Sequence, residues 1–239
     1  MQLKAAPINC NIHRVGTVPN YYQGPRVSRT ARRTVNQQAA FSGESRQSAT
    51  DGRARRTVIL DAALKMFYEN GYSATTMQQI ADEVGILKGS LYHHISGKEE
   101  LLYEVLLRIH EGFPKPPPAK KYDEDLLETI RGFVYRYVMH ITQNVASAAV
   151  FHREIRWLPP NRRSVIVRKR DVNDTYLRHA ISVGIERGII PPSIDPKLAS
   201  MAIFGMANGL HVWFQEGGAI SSEELATTYA DYAIRLLRY

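Results

Sequence analysis

The stretch from Thr75 to Lys98, TTMQQIADEVGILKGSLYHHISGK, contains two short helical patterns with a single glycine between them. The apolar residues of the first pattern recur at positions i, i+3, i+4 and i+7, which form one face of a helix: Met77, Ile80, Ala81 and Val84. Gly85 ends that helix, because glycine permits the positive φ of a tight turn, and a short helix over Lys88–Ile95 follows. Since the small Ala81 lets the next helix cross closely, the spacing predicts a helix-turn-helix.

Helical spacing continues along the rest of the chain, and no alternating pattern of useful strand length is present. The first helix is predicted to begin near Arg53. Beyond the proline-rich stretch PKPPPAKK (114–121), the candidate helices are 123–146, 148–157, 163–187, 195–216 and 221–238. The sequence therefore predicts an all-α fold with three parts: a disordered basic arm over 1–52, a three-helix helix-turn-helix domain over 53–97 and a larger helical bundle over 98–239.

The net charge of +8 is concentrated near the N-terminus. Residues 1–56 hold ten basic and two acidic side chains, and the rest of the chain carries equal numbers of both signs. Such asymmetry favours a polyanionic partner, most often nucleic acid. A solvated basic tail without a target is the alternative that charge alone leaves open.

Several functional classes are excluded by what the sequence lacks. The single cysteine, Cys10, excludes an internal disulfide and a thiolate zinc cage. No apolar run reaches the ~18 residues of a membrane span, and the N-terminus lacks the apolar core of a secretory signal, so we expect a cytoplasmic protein without membrane contact. Nucleotide-binding, metalloprotease and hydrolase motifs are absent, so we predict no catalytic residues, no metal and no cofactor.

A helix-turn-helix presents its second helix to the DNA major groove, with the N-terminal residues nearest the base edges. Lys88, Gly89 and Ser90 open that helix, and Tyr92 and His93 follow on its next turn. At helix starts and at the end of the arm, further phosphate or minor-groove contacts are predicted for Arg55, Arg56, Thr76 and Lys98.

Residues 53–105 resemble the DNA-binding domain of the tetracycline-repressor (TetR/AcrR) family. The matching positions are Ile59-Leu60-Asp61-Ala62-Ala63, Phe67, Gly71-Tyr72, Ala74-Thr75-Thr76, Ile80-Ala81, Val84-Gly85, Gly89-Ser90-Leu91-Tyr92, His94 and Ser96-Gly97-Lys98-Glu99-Glu100-Leu101. The chain departs from the family at Ile95, where phenylalanine is usual, and at Leu87-Lys88, where a small or polar pair is commoner. The resemblance implies a homodimeric regulator, usually a repressor, that binds an inverted-repeat operator in double-stranded DNA. It also implies release by a small-molecule effector bound in 98–239 and dimerisation through 195–216 and 221–238.

The segment GILKGSLYHHI is similar to the subgroup of that family that senses acyl-CoA thioesters of fatty-acid or steroid catabolism. Aromatic and polar residues of the bundle are candidate effector contacts, with core packing as the alternative: Phe133, Tyr137, His140, Trp157, Tyr176, Phe204, Asn208 and His211. A cationic run is the candidate site for effector phosphates, with a solvated face as the alternative: Arg153, Arg156, Arg162, Arg163, Arg168, Lys169 and Arg170.

Two other functions stay open at this point. One is a TetR-type regulator of efflux that senses a hydrophobic drug-like ligand. The other is a nonspecific DNA-binding protein driven by the basic arm. The sequence also leaves open whether the regulator represses or activates, which operator and genes it recognises, and what residues 1–52 do.

Overall fold

The computed structural model describes the backbone of residues 40–117 and 125–238, and side chains from Gly52 onward within those ranges. Every regular element in them is helical, so the predicted all-α fold is confirmed. The helices are α1 (Ala40–Asn70), α2 (Met77–Val84), α3 (Lys88–Tyr92), α4 (Lys98–Gly112), α5 (Leu126–Gln143), α6 (Val145–Glu154), α7 (Pro160–Glu186), α8 (Pro196–Asn208), α9 (Leu210–Trp213) and α10 (Ser222–Leu236), with a 3-10 turn at Ile155–Trp157. None of these helices combines the length and apolar character needed to span a bilayer.

The N-terminal arm overlaps the first helix. We predicted that helix to start near Arg53, whereas α1 starts at Ala40. No proline interrupts 40–52, so backbone hydrogen bonding can extend the helix without an apolar face to guide it. The rest of the predicted disordered arm, 1–39, lies outside the described residues.

The helix-turn-helix forms as its local sequence dictates. Thr76 is the N-cap of α2: its hydroxyl accepts a hydrogen bond from the Gln79 amide at 3.2 Å, and Gln79 Oε1 accepts from the Thr76 amide at 2.8 Å. Gly85 ends α2 in the left-handed region (φ 72°, ψ 37°), which is the positive φ predicted for it. The helix α3 is shorter than the predicted Lys88–Ile95, because the chain turns inward after Tyr92 to bury Ile95.

One hydrophobic core lies beneath this motif. It joins buried residues of α1 to α4, such as Phe67, Ile80 and Leu102, to four residues from later in the chain: Val150, Phe151, Leu158 and Ile166. The core of the helix-turn-helix is therefore completed by α6, by the residue just after the 3-10 turn and by the first part of α7.

A second core unites α5, α7, α8 and α10. Phe113, at the end of α4, packs against both cores. The predicted helix over 195–216 is divided at Gly209 into α8 and α9, and the chain becomes extended at Phe214. The domain boundary between residues 97 and 98 stays a prediction.

Candidate DNA-binding surface and effector cavity

The predicted base-contacting residues lie on α3 and on its C-cap residue, His93. Lys88, Gly89, Tyr92 and His93 are exposed, and Ser90 is half-buried. Leu91, between them, is fully buried and anchors the helix to the core. The helix is thus fixed from behind while its opposite face is open to solvent. Thr76 and Arg55 are exposed as well.

Arg56 is half-buried, and its guanidinium is paired within the chain. Its guanidinium forms a two-point pair with the Glu104 carboxylate on α4, in which Nε lies 2.9 Å from Oε2, and Nη2 bonds to Oε1. Its Nη1 donates to the carbonyl oxygen of His94, just after α3, at 2.7 Å. Arg56 therefore links α1 to α4 and to the backbone just after α3.

Lys98, at the start of α4, also has partners within the chain. Its Nζ donates to the carbonyl oxygen of Ser73 at 3.1 Å and lies 4.4 Å from the ring centroid of Tyr72. Burial lowers the pKa of Lys98, and the charge of Glu154 offsets part of that lowering. The ammonium group therefore holds the start of α4 against the turn between α1 and α2.

A cavity of about 370 Å³ lies within the bundle, at the small end of the ~300–1,000 Å³ usual for small-molecule sites. Its aromatic wall is formed by Phe113, Tyr137, Phe151 and Phe204. The remaining lining residues are His110 from α4, His152 from α6, five from α7 (Arg170, Asp171, Asn173, Asp174 and Arg178), and Met201, Gly205 and Asn208 from α8.

Neutral polar groups lie close together in the cavity lining. The Tyr137 hydroxyl donates to Asn208 Oδ1 at 3.0 Å. The ring of His152 stacks on His211 with centroids 5.0 Å apart. The Nε2 atom of His152 is buried, and none of the described residues meets it in hydrogen-bonding geometry. Burial, assisted by His211 and Arg170, lowers the pKa of His152 to about 4, while the nearby Asn208 side chain acts in the opposite direction. The imidazole is therefore neutral at physiological pH.

Charged residues of α7 also line the cavity. Asp174 pairs with Arg178 and accepts a hydrogen bond from the Ser200 hydroxyl at 2.7 Å. The buried Arg178 Nε has no partner among the described residues. The Nη2 atom of Arg170 lies 3.4 Å from the Oδ1 atom of the Asp171 carboxylate. A ligand beside these residues would meet both signs of charge.

The predicted effector residues divide into three groups. Tyr137, Phe204 and Asn208 line the cavity. Four more form a second layer that packs against the lining or against each other. The ring centroids of Phe133 and Tyr176 are 4.8 Å apart. The centroids of His140 and Phe113 are 4.5 Å apart, and His211 stacks on His152. Trp157 does not line the cavity: it is half-exposed, and its ring centroid lies 6.0 Å from that of Tyr72.

Sequence reasoning missed most of the lining. Nothing in the sequence singles out His110, Phe113 or His152 as effector contacts, although all three fall within the predicted bundle of 98–239. A usable signal is the adjacency of Phe151 and His152 on the predicted helix 148–157, but nothing in the local sequence shows which helix faces them.

The cationic run does not form one patch. Arg153 donates to the carbonyl oxygens of Phe67 and Tyr68, the latter at 3.0 Å, and pairs with the buried Glu154. Arg162 lies 3.5 Å from Glu99 and 5.1 Å from the ring centroid of Tyr103. Of the seven residues, only Arg170 reaches the cavity.

The pKa of His152 gives a pH-dependent prediction. The unfolded chain, with a His152 pKa near 6.5, binds a proton more readily than the folded chain, so the free energy of unfolding falls as the pH drops from 6.5 towards 4. His152→Gln should lose less stability than the parent over this window, by on the order of 2 kcal/mol between pH 7 and 4.5. Urea unfolding of both proteins at the two pH values measures the difference. Equal losses would show that His152 is already solvated in the folded protein.

Comparison with known proteins adds independent information. The family described as "Bacterial regulatory proteins, tetR family" matches residues 59–105, and "Tetracyclin repressor-like, C-terminal domain" matches 123–237. The HTH-type transcriptional repressor KstR2 of Rhodococcus jostii (strain RHA1) is 30% identical over 183 residues, which cover 75% of this chain and 90% of the relative.

Two solved structures are similar in fold. The ketosteroid transcriptional regulator KstR2 of Mycobacterium tuberculosis has a TM-score of 0.67 at 26% identity, covering 77% of this chain and 95% of its own. AibR, solved in complex with isovaleryl coenzyme A and operator DNA, has a TM-score of 0.64 at 24% identity, covering 77% of this chain and 97% of its own.

Proposed function

This chain belongs to the TetR family of bacterial transcriptional regulators, and from that premise we propose that it is a homodimeric, cytoplasmic repressor released from an inverted-repeat operator by an acyl-CoA thioester. The observation that carries the effector part of the proposal is the cavity, because its lining joins an aromatic wall to a set of polar groups and includes residues of α4.

The DNA-binding role rests on the exposed part of α3. Lys88, Tyr92 and His93 supply side chains that reach phosphates and base edges, and Gly89 and Ser90 add little bulk where the helix approaches the groove. Arg55 and Thr76 are proposed phosphate contacts at the edge of this surface. Arg56 and Lys98 contribute chiefly by holding α3 and α4 in place, as their partners within the chain indicate.

The cavity chemistry suits the acyl end of a thioester. Phe113, Phe151 and Phe204 offer apolar surface for a hydrocarbon group. Asn208 and the neutral His152 can meet a carbonyl oxygen, and Arg170 and Arg178 can meet anionic groups. The cavity is small, so a coenzyme A moiety would extend beyond it. A protein of the same fold was solved with isovaleryl coenzyme A, which favours this class of ligand.

The dimer is proposed to form through α8, α9 and α10. The helices α8 and α9 both expose large apolar side chains: Leu198 and Met201 lie one turn apart on α8, where Met201 also borders the cavity, and Val212 and Trp213 lie on α9. Exposed apolar side chains of this kind mark protein contacts, and a second copy of the chain is the occupant that family membership indicates.

Effector and operator binding are proposed to be coupled through α4. His110 and Phe113 line the cavity near the end of this helix, and Lys98 holds its start beside the helix-turn-helix. A ligand that fits the cavity better when α4 is shifted would favour the form in which the two recognition helices are wrongly spaced for DNA. The size of the effect is limited by the difference in affinity for the two forms.

The test begins with an operator selected from fragmented source DNA by the purified protein. Fluorescence anisotropy of that operator is then followed while acyl-CoAs of increasing chain length, free coenzyme A and free fatty acids are added. We expect acyl-CoAs alone to release the DNA. In Asn208→Ala, the acyl-CoA concentration for half-release should rise about 3- to 10-fold, because a cavity hydrogen bond is lost, with operator affinity unchanged.

The matched control is Asn144→Ala, which removes an exposed asparagine that does not line the cavity and should leave release unchanged. If no acyl-CoA releases the operator, the effector class is wrong. A panel of hydrophobic drugs in the same assay then tests the efflux-regulator alternative. A reporter gene placed behind the operator distinguishes repression from activation.

A further inference from the structure

Leu87 is the large hydrophobic side chain most exposed to solvent in the described part of the chain, with 80% of its surface accessible. It lies immediately before Lys88, at the N-cap of the recognition helix α3. This position is one of the two where the sequence departs from the usual family pattern. An exposed leucine at the start of a recognition helix therefore needs an explanation.

Folding does not supply that explanation. The N-cap of a helix favours serine, threonine, asparagine or aspartate, whose side chains bond to free backbone amides, and Leu87 makes no such bond. Its side chain also adds little to the core. Its backbone, by contrast, is held firmly, because its carbonyl oxygen accepts a hydrogen bond at 3.2 Å from the amide of the fully buried Leu91. The side chain is thus presented to solvent from a fixed backbone.

We propose that Leu87 recognises a thymine in each operator half-site by packing against its C5 methyl group in the major groove. The inference rests on the DNA-binding role proposed above for α3. The thymine methyl is the apolar feature of the major groove, and apolar side chains contact it. Gly89, two residues later, is exposed and has no side chain to hold the backbone away from the bases. Lys88 supplies charge at the same place, so affinity and selectivity come from adjacent residues.

The experiment removes the methyl group without altering base pairing. In the selected operator, each thymine is replaced in turn, in both half-sites, by deoxyuridine, and binding is measured by anisotropy with the full chain and with Leu87→Ala. For one symmetry-related pair of thymines, the parent should bind the substituted operator about 15-fold more weakly, which is about fourfold for each buried methyl. Leu87→Ala should bind the natural operator similarly weakly and should be indifferent to that substitution.

Lys88→Ala is the matched control. It should weaken binding and reduce its salt dependence while remaining sensitive to the same deoxyuridine pair. Since Leu87 and Lys88 are both exposed, circular dichroism melting should confirm that both variants fold. The inference is overturned if no deoxyuridine pair distinguishes the parent from Leu87→Ala. Failure to select any specific operator would instead overturn the DNA-binding role on which the inference depends.

Discussion

Replacing Leu198 and Val212 together by glutamate is expected to convert the proposed dimer into a monomer and to weaken operator binding by at least about a hundredfold. The two side chains are 65% and 77% exposed in one chain, so glutamate at these positions should not disturb folding. In a dimer interface the carboxylates would be desolvated without partners, which is strongly unfavourable. Operator affinity falls because a monomer binds one half-site without the avidity of the second. Light scattering after gel filtration and operator anisotropy measure the two effects.

Lys197→Glu is the matched control for that pair. It changes the charge of α8 at an exposed position next to Leu198 but removes no apolar surface. It should remain dimeric and bind the operator within a few-fold of the parent. If the double variant also remains dimeric, the α8–α9 face is not the interface, and the exposed Tyr232 of α10 becomes the next position to test.

Arg56→Lys is expected to lower operator affinity about tenfold without changing its dependence on salt. Lysine retains the positive charge but cannot reproduce the two-point pair with Glu104 together with the bond to the His94 carbonyl. The end of α3 should then be less well held, and the free energy of unfolding should fall by about 1 kcal/mol. Anisotropy from 50 to 300 mM salt and urea unfolding provide the two readouts.

The neighbouring Arg55 offers the comparison. It is exposed, so as a phosphate contact its replacement by alanine should lower the slope of log affinity against log salt by about one and leave stability unchanged. For Arg56, an Arg56→Ala variant that shows the same loss of slope with unaltered stability would identify it as a phosphate contact, contrary to its placement within the chain.

Local sequence was sufficient where one turn of chain determines the structure. Thr76 and Gln79 form their reciprocal cap, and Gly85 adopts its left-handed conformation, through interactions within a few residues. The helical periodicity gave the all-α fold for the same reason, since an apolar stripe at that spacing can be buried only by a helix.

Local sequence was insufficient where the position of a side chain depends on a partner far away in the chain. Arg56 bonds to Glu104, which is forty-eight residues away, and Lys98 contacts the Ser73 carbonyl oxygen and the Tyr72 ring. His152 lines the cavity and stacks on His211 of α9, whereas Trp157, only five residues later, lies at the end of the 3-10 turn and packs on Tyr72. Residue type and spacing made His152 and Trp157 look alike in the sequence. Only the tertiary packing shows that one lines the cavity and the other does not.

The sharing of the first core by two distant parts of the chain determines how such regulators can be recombined. Val150, Phe151, Leu158 and Ile166 close the core under the helix-turn-helix, and Arg153 bonds to the last carbonyl groups of α1. In a hybrid of two relatives joined at the proline-rich stretch 114–121, the core under the helix-turn-helix would be closed by residues from the other protein. Exchanging sensing modules between relatives therefore requires residues 145–166 to travel with the DNA reader, or its partners on α1 and α4 to be redesigned to match.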